Sequence, residues 1–212
     1  MADALSELAA YRWSATGFEN TAERLLSDAR LRGTCGAKTF RDPALGVART
    51  MWIQTRSLIL DGSCDGDLGR TKFRCERAFV MRSELRRMLE AWGKSSDEVR
   101  TISESAVSDR DSDGNDDNPL HFIRRELDHV SVTDFYWCEG TFRRHIIMVE
   151  GIHEPVWDVD RWPYELPPGR WPINVFLWNP MQNIPWGASD FRLVQLWEES
   201  VSWMQRFLLD SA

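Results

Sequence analysis

The chain has 212 residues, of which 42% are hydrophobic and 28% are charged, and its formal net charge is −7. This size and composition are sufficient for the core of one large or two small globular domains. The negative charge argues against general binding to nucleic acids or anionic membranes, although it leaves room for a local basic patch.

Targeting and redox features are sparse. The first residues show no basic segment followed by an apolar one, so we expect no secretory signal. The densest apolar run, residues 173–178, is too short to span a bilayer. Cys35, Cys64, Cys75 and Cys138 are widely spaced and form no CxxC pair, which is typical of reduced thiols. We therefore expect a cytoplasmic protein without a membrane segment.

Residues 1–94 are predicted to form a helical region. Segments 4–13 and 21–31 carry weak helical patterns. Asp42 followed by Pro43 is typical of a helix start, and apolar residues then recur at helical spacing over residues 44–59. A second apolar stripe over residues 78–92 predicts another helix, which ends at Gly93.

Residues 95–119 differ sharply in composition. Residues 97–117 contain eight Asp or Glu and two Arg, which gives a local net charge of −6. With almost no large apolar side chains, this stretch has little to offset the entropy of ordering. We expect an exposed loop or linker that is partly disordered.

Residues 120–212 are predicted to contain a β-hairpin, a segment rich in Trp and Pro, and a final helix, packed with residues 1–94 as one compact unit. Strands 130–138 and 141–150 flank Glu139-Gly140, a dipeptide typical of a two-residue turn. This turn places residues whose numbers sum to 279 opposite each other. Residues 173–178 predict a further strand, and Ser189 caps an amphipathic helix.

The predicted fold class is therefore α+β. An N-terminal helical layer packs on a small antiparallel sheet, and a C-terminal amphipathic helix completes the domain.

Tryptophan is concentrated towards the C-terminus, with eight of the eleven at or after residue 137. Trp137, Trp197 and Trp203 are expected in the core. Rings held by proline-rich loops can stack on nucleobases or sugars, or anchor a partner protein. We expect at least two of five rings to be exposed on one face, and the candidate binding residues are Trp157, Trp162, Trp171, Trp178, Trp186 and Arg170.

All four histidines fall between residues 121 and 153. In the predicted hairpin, His145 faces Asp134, and a carboxylate that orients an imidazole is the arrangement that a general base requires. His145 and Asp134 are therefore the candidate catalytic pair, although such a cross-strand pair is more often structural. Cys138 lies about 13 Å from His145 in this register, too far to act as its nucleophile.

Two loop motifs are incomplete. Residues 33–39 resemble a phosphate-binding loop, but Ala37 separates the last glycine from Lys38. Residues 109–120 match the first half of a calcium-binding loop, yet Leu120 stands where a bidentate Glu is needed. The four histidines are not spaced like the ligands of a known metal site either. We expect no metal and no cofactor.

A basic stretch precedes the acidic one, with a local net charge of +5 over residues 70–87. It is either an anion-binding or nucleic-acid patch or a solvated helix face balanced by the acidic segment, and the total charge favours the second interpretation. Its basic residues are Arg70, Lys72, Arg74, Arg77, Arg82, Arg86 and Arg87.

No motif in the chain specifies a reaction. The sequence therefore favours a non-enzymatic intracellular binding or regulatory protein that acts through protein–protein contacts, with the Trp/Pro-rich segment as interface. The alternative is an enzyme or a binder of a nucleobase or sugar, in which a Trp-lined pocket contains His145 and Asp134. Convergent polar groups in a cleft favour the alternative, and a flat aromatic patch favours a protein partner.

Overall fold

The structure is a computed structural model that describes residues 2–41, 46–107, 128–163, 165–167 and 169–210. Within these ranges the protein has an α+β fold. The helices are α1 (Ala2–Ala15), α2 (Phe18–Arg32), α3 (Arg82–Ala91), α4 (Ser96–Ser105) and α5 (Asp190–Asp210). The strands are β1 (Thr34–Arg41), β2 (Ala48–Ile53), β3 (Leu58–Leu60), β4 (Phe73–Met81), β5 (His129–Glu139), β6 (Phe142–Val149), β7 (Trp157–Val159) and β8 (Ile173–Leu177).

The chain forms two compact units. Unit 1 comprises residues 1–71 and 166–212, and unit 2 comprises residues 72–165. These boundaries differ from the expected ones at residues 94 and 119. The physical reason is strand pairing, because β4 and β5 lie side by side and so join the chain on both sides of the acidic stretch.

Unit 1 is a helical layer on a three-stranded antiparallel sheet. β1 is the middle strand, with β2 on one side and β8 on the other. Helix α2 packs against β1 and β2. Leu25 and Ala29 of this helix are buried against Cys35 and Ala37 of β1. The helices predicted at residues 4–13 and 21–31 are confirmed as α1 and α2.

The helix predicted over residues 44–59 is wrong. β2, β3 and a 3-10 turn at Thr55–Ser57 between them occupy most of this segment. The apolar residues at helical spacing include Trp52 and Ile59, which are aromatic and β-branched types that favour strands. Pairing with β1 then satisfies the backbone groups on one side of β2. The expected helix start at residues 42–43 lies outside the described residues.

Unit 2 is an antiparallel sheet in which β4, β5, β6 and β7 are neighbours in that order. Helix α3 packs against β4, β5 and α4. The helix predicted over residues 78–92 is correct from Arg82 onward and wrong before it, because β4 continues to Met81. The core of the unit consists of Leu85, Leu89, Val99, Ala106, Val130, Val132, Ile147, Val149 and Val156.

The exposed linker expected at residues 95–119 is wrong over its first part, which forms helix α4. Ser95 caps this helix: its Oγ accepts a hydrogen bond from the Glu98 N–H, and the Glu98 carboxylate accepts one from the Ser95 N–H. The cap lowers the pKa of Glu98 through these bonds. Val99 and Ser103 are buried. Residues 108–127, which include the incomplete calcium loop, lie outside the described residues.

The predicted hairpin is confirmed as β5 and β6, but its register is shifted. Glu139 faces Phe142, so the turn residues are Gly140 and Thr141 and opposed residue numbers sum to 281. Gly140 has a φ of 61°, and the first position of a two-residue hairpin turn requires such a positive value. A shift of two leaves every side chain on its predicted face, because strand side chains alternate with a period of two.

The C-terminal elements follow the sequence pattern. β8 matches the strand predicted at residues 173–178. The Ser189 Oγ accepts a 3.0 Å hydrogen bond from the Arg192 N–H, which confirms the expected cap of α5. None of the helices in the described ranges has the length and apolarity needed to cross a bilayer.

Candidate functional site

The five Trp of the Trp/Pro-rich segment are divided between the units. Trp157 and Trp162 belong to unit 2, whereas Trp171, Trp178 and Trp186 belong to unit 1. Trp162 and Trp171 are only 5% and 7% exposed, and the other three are half-buried. The expectation of two exposed rings on one face is therefore wrong.

Two of these rings, one buried and one half-buried, are held by their indole N–H groups. Trp162 Nε1 donates to the Trp137 carbonyl oxygen at 3.1 Å, and Trp178 Nε1 donates to Asp190 Oδ1 at 2.7 Å. A buried indole requires such an acceptor. Arg170, the remaining candidate binding residue, is exposed in unit 1.

The candidate catalytic pair is in direct contact. His145 Nε2 lies 2.6 Å from Asp134 Oδ1, and His145 is 7% exposed. In the ladder His145 faces Tyr136, and Asp134 faces Ile147, so the contact is diagonal rather than directly across. Both side chains stand on the sheet face predicted for them, and a diagonal neighbour is within reach of an imidazole.

Tyr136 completes this buried group. Its hydroxyl donates to Asp134 Oδ2 at 3.1 Å, and its ring stacks on His145 with centroids 4.7 Å apart and an interplanar angle of 6°. The carboxylate therefore accepts bonds from two side chains at once. Two strands position all three residues, because β5 carries Asp134 and Tyr136 on one face and β6 carries His145 beside them.

The Asp134 carboxylate determines which nitrogen of the His145 imidazole donates a hydrogen bond. An ionised Asp only accepts hydrogen bonds, so Nε2 of His145 is the donor in this contact, and in a neutral imidazole Nδ1 is then an acceptor. Nδ1 has no hydrogen-bond partner among the described residues. His145 thus has the orientation of a carboxylate-positioned base or ligand-binding imidazole.

His145 forms part of the wall of an open groove of about 940 Å³ within unit 2. Trp92 and Trp157 form an adjacent wall, with ring centroids 5.7 Å apart and an interplanar angle of 39°. The Arg143 guanidinium lies 4.6 Å from the centre of the Trp162 ring. We call this cavity the unit 2 groove, and its polar lining includes Thr141, Arg143, His145, Asp160, Arg161 and Glu165.

The remaining nucleophile and ligand candidates do not join this group. Cys138 faces Arg143, and its Sγ contacts the Gly140 carbonyl oxygen at 3.8 Å. Across the part of the chain that the structure describes, no three His, Cys, Asp or Glu side chains converge on a possible metal position. His121 lies outside the described residues.

The basic residues of 70–87 are separated by the fold of the chain. Strand β4 places Arg74 and Arg77 on opposite sides, because strand residues alternate. Arg74 is buried, and Arg77 binds Glu150 at 2.7 Å. On unit 2, Lys72 and Arg82 also form ion pairs, with Glu139 and Asp128. Arg86 donates to the Ser103 hydroxyl, and Arg70 and Arg87 are exposed.

Helix α5 exposes two tryptophans that were predicted to be buried. Trp197 and Trp203, which were expected in the core, are 74% and 67% exposed, so that expectation is wrong, whereas Trp137 is half-buried. The sheet of unit 1 already has α2 packed against it, and α5 contacts α2 instead. Val194, Trp197 and Met204 of the apolar stripe of α5 therefore remain exposed to solvent.

Two apolar grooves flank the first half of α5. One, of about 710 Å³, lies between α2 and α5, and the other, of about 550 Å³, lies beside Trp197. Sequence reasoning missed this surface because it assumed that the stripe was covered. We call it the α2–α5 surface, and its most exposed apolar residues are Leu26, Leu31, Phe191, Val194, Trp197 and Met204.

Several lining residues of the unit 2 groove were also missed. Trp92 was assigned only to a helix stripe, while Asp160, Arg161 and Glu165 were not singled out. Their one available signal was proximity to the selected Trp157 and Trp162 in the sequence.

Compared with models of known protein families and with curated proteins, the chain matches none of them.

Proposed function

We propose that this protein is a non-enzymatic intracellular binding protein that acts through protein–protein contacts at the α2–α5 surface. The observation that carries the proposal is the 74% exposure of Trp197 in the middle of an apolar stripe. Contiguous apolar patches of this kind are rare on monomeric proteins and mark interaction sites. Trp is also the residue type most enriched among residues that dominate binding energies.

The spacing of the stripe supports a helical partner. Val194, Trp197, Val201 and Met204 follow one another at intervals of three, four and three residues. This is the repeat by which two helices interlock along a shared seam. The groove between α2 and α5 is lined by apolar residues of both helices, such as Leu26, Leu31 and Val194, and an apolar groove between two helices is a common docking site for an amphipathic helix.

The charges around the surface specify the partner further. Glu23 and Asp190 line the groove between α2 and α5, and Glu198 lines the one beside Trp197. Arg30 is the basic residue of the first groove, and it is already paired with Asp190 at 3.2 Å. The fitting partner is therefore an amphipathic helix whose apolar face is flanked by Lys or Arg.

The available area is adequate for a stable complex. The exposed fractions of the six α2–α5 surface residues amount to about 700 Å² of apolar surface, given the size of such side chains. Stable complexes bury about 800 Å² on each partner. An intracellular location accords with the four cysteines, which all lie within the described residues and are free thiols.

The test uses two labelled helical peptides of identical apolar face, one flanked by Lys and one by Glu. Fluorescence anisotropy with the full chain should show binding of the Lys peptide and at least about tenfold weaker binding of the Glu peptide. Trp197→Ala should weaken the first complex by about tenfold or more. Trp203→Ala is the matched control, because Trp203 lies about 120° around the helix from Trp197 and therefore outside the stripe.

Three results would contradict the proposal. One is the absence of binding to both peptides, and another is equal binding of the two. The third is a dimer in light scattering that Trp197→Ala dissociates, since a second copy of the chain would then be the occupant of the surface.

A further inference from the structure

We propose that the unit 2 groove is a binding site for a neutral sugar ring. The proposal comes from one juxtaposition: His145, whose Nδ1 has no partner among the described residues, lines the same groove as the Trp92–Trp157 pair and charged groups of both signs. It is independent of the protein–protein function, because its residues all belong to unit 2.

The imidazole supplies a fixed hydrogen-bond acceptor. Asp134 holds His145 by Nε2, and the ring is packed flat against Tyr136, so its orientation does not need to change when a ligand arrives. Nδ1 has no partner among the described residues. A buried acceptor of this kind favours a ligand that provides an O–H or N–H donor.

The arrangement of the rings favours a sugar over a nucleobase. A base that is sandwiched between two rings requires a flat, parallel slot. Trp92 and Trp157 are in contact and tilted by 39°, which leaves no parallel slot between them. The guanidinium of Arg143 lies over the Trp162 face. A pyranose is not flat, and its apolar C–H face can pack against an inclined Trp wall.

The charges favour a neutral ligand. Asp160 and Glu165 supply carboxylate oxygens to the groove, while Arg143 and Arg161 supply guanidinium groups. An anionic ligand would meet the two carboxylates, and a cationic ligand would meet the two arginines. Hydroxyl groups donate to carboxylates and accept from guanidinium groups, so a polyhydroxylated neutral ring uses both sets.

The test is saturation-transfer difference NMR on the full chain with millimolar methyl glycosides of glucose, galactose, mannose and N-acetylglucosamine. At least one glycoside should receive saturation on its ring C–H protons, and adenosine serves as the nucleobase probe. Titration of the responding glycoside then provides the dissociation constant for each variant.

Trp157→Ala should weaken binding of that glycoside by about tenfold or more. Since Trp157 also packs against the core, Asp160→Asn provides a second variant at an exposed position. It should weaken binding by about three- to tenfold, because the amide keeps an acceptor oxygen but replaces a charge-assisted hydrogen bond by a neutral one. Asp158→Asn is the matched control: Asp158 binds Arg144 and does not line the groove, so binding should change by less than about twofold.

The proposal is overturned if none of the four glycosides receives saturation, or if adenosine alone does. It is equally overturned if a glycoside binds and Asp160→Asn has no larger effect than Asp158→Asn, because the sugar would then bind elsewhere.

Discussion

Asp134 and His145 are joined by a 2.6 Å hydrogen bond across two antiparallel strands, although neither is the direct ladder partner of the other. Tyr136 occupies the position opposite His145 and donates its hydroxyl to the same carboxylate. The carboxylate therefore holds the imidazole by Nε2, and Nδ1 has no hydrogen-bond partner among the described residues.

The first prediction concerns the tautomer of His145. Because the Asp134 carboxylate only accepts hydrogen bonds, the neutral imidazole should be protonated at Nε2. Long-range ¹H–¹⁵N NMR spectra of the labelled protein distinguish the two ring nitrogens. Asp134→Asn should raise the population of the other tautomer, because an amide can also donate to Nε2. A wild-type imidazole protonated at Nδ1 would contradict the assigned geometry.

The second prediction concerns thiol reactivity. Burial, with Asp28 nearby, raises the pKa of the Cys35 thiol to about 11. Burial, with Asp134 nearby, raises that of Cys75 to about 12. Thiolates are the reactive form, and Cys64 is also buried. At pH 8 a disulfide reagent should therefore modify one thiol of the folded chain, Cys138. Cys138→Ser should abolish this fast reaction, and rapid modification of Cys35 or Cys75 would contradict the structure.

The third prediction compares two tryptophans. Trp162 is 5% exposed and Trp197 is 74% exposed. Trp162→Ala should lower the free energy of unfolding by about 3–5 kcal/mol, because it opens a cavity. Trp197→Ala should change it by less than about 0.5 kcal/mol in the absence of a partner. Urea titrations measure both. Equal losses for the two variants would show that the α5 stripe is covered within the monomer.

The fourth prediction concerns the pH dependence of stability. Hydrogen bonds from Trp178 and then Arg30 lower the pKa of Asp190, the first residue of α5. A carboxylate with a lowered folded-state pKa stabilises the fold above its unfolded-state pKa of about 3.9, and this contribution is lost as pH falls through the folded-state value.

Asp190→Asn should therefore reduce the urea midpoint at pH 7, and its difference from the wild type should shrink as the pH is lowered to about 3. Glu199→Gln is the control, since Glu199 is exposed on the same helix and contacts Gln195. A difference that stays constant over this pH range would show that the charge of Asp190 does not contribute to stability.

The fifth prediction concerns two glycines with positive φ. Gly33 has a φ of 82°, and a Cβ placed there would collide with the backbone of Gly187; Gly17 has a φ of 65° and open space around it. Gly17→Ala should cost about 1–2 kcal/mol of stability, the cost of a left-handed conformation. Gly33→Ala should cost about 2 kcal/mol more, because two backbones must separate. Similar losses would contradict the close approach of the segments.

Local patterns in the sequence were sufficient for several elements. Helices α1 and α2, strand β8 and the capped start of α5 lie where the apolar spacing and turn residues predict them. The contact between Asp134 and His145 was also predictable, even though the register was wrong. A shift of two residues preserves the side-chain faces of both strands, and diagonal neighbours remain within reach of each other.

Tertiary structure decided the rest, because pairing and burial depend on residues far away in the chain. Residues 48–53 carry a spacing compatible with a helix, yet β1 offers their backbone an antiparallel partner, and this pairing selects the strand. Whether a Trp ring is buried likewise depends on which other helices and strands pack against it. Trp162 and Trp197 have the same chemistry, but Trp162 is buried and hydrogen-bonded to Trp137, whereas α2 already packs on the sheet of unit 1 and leaves Trp197 in water.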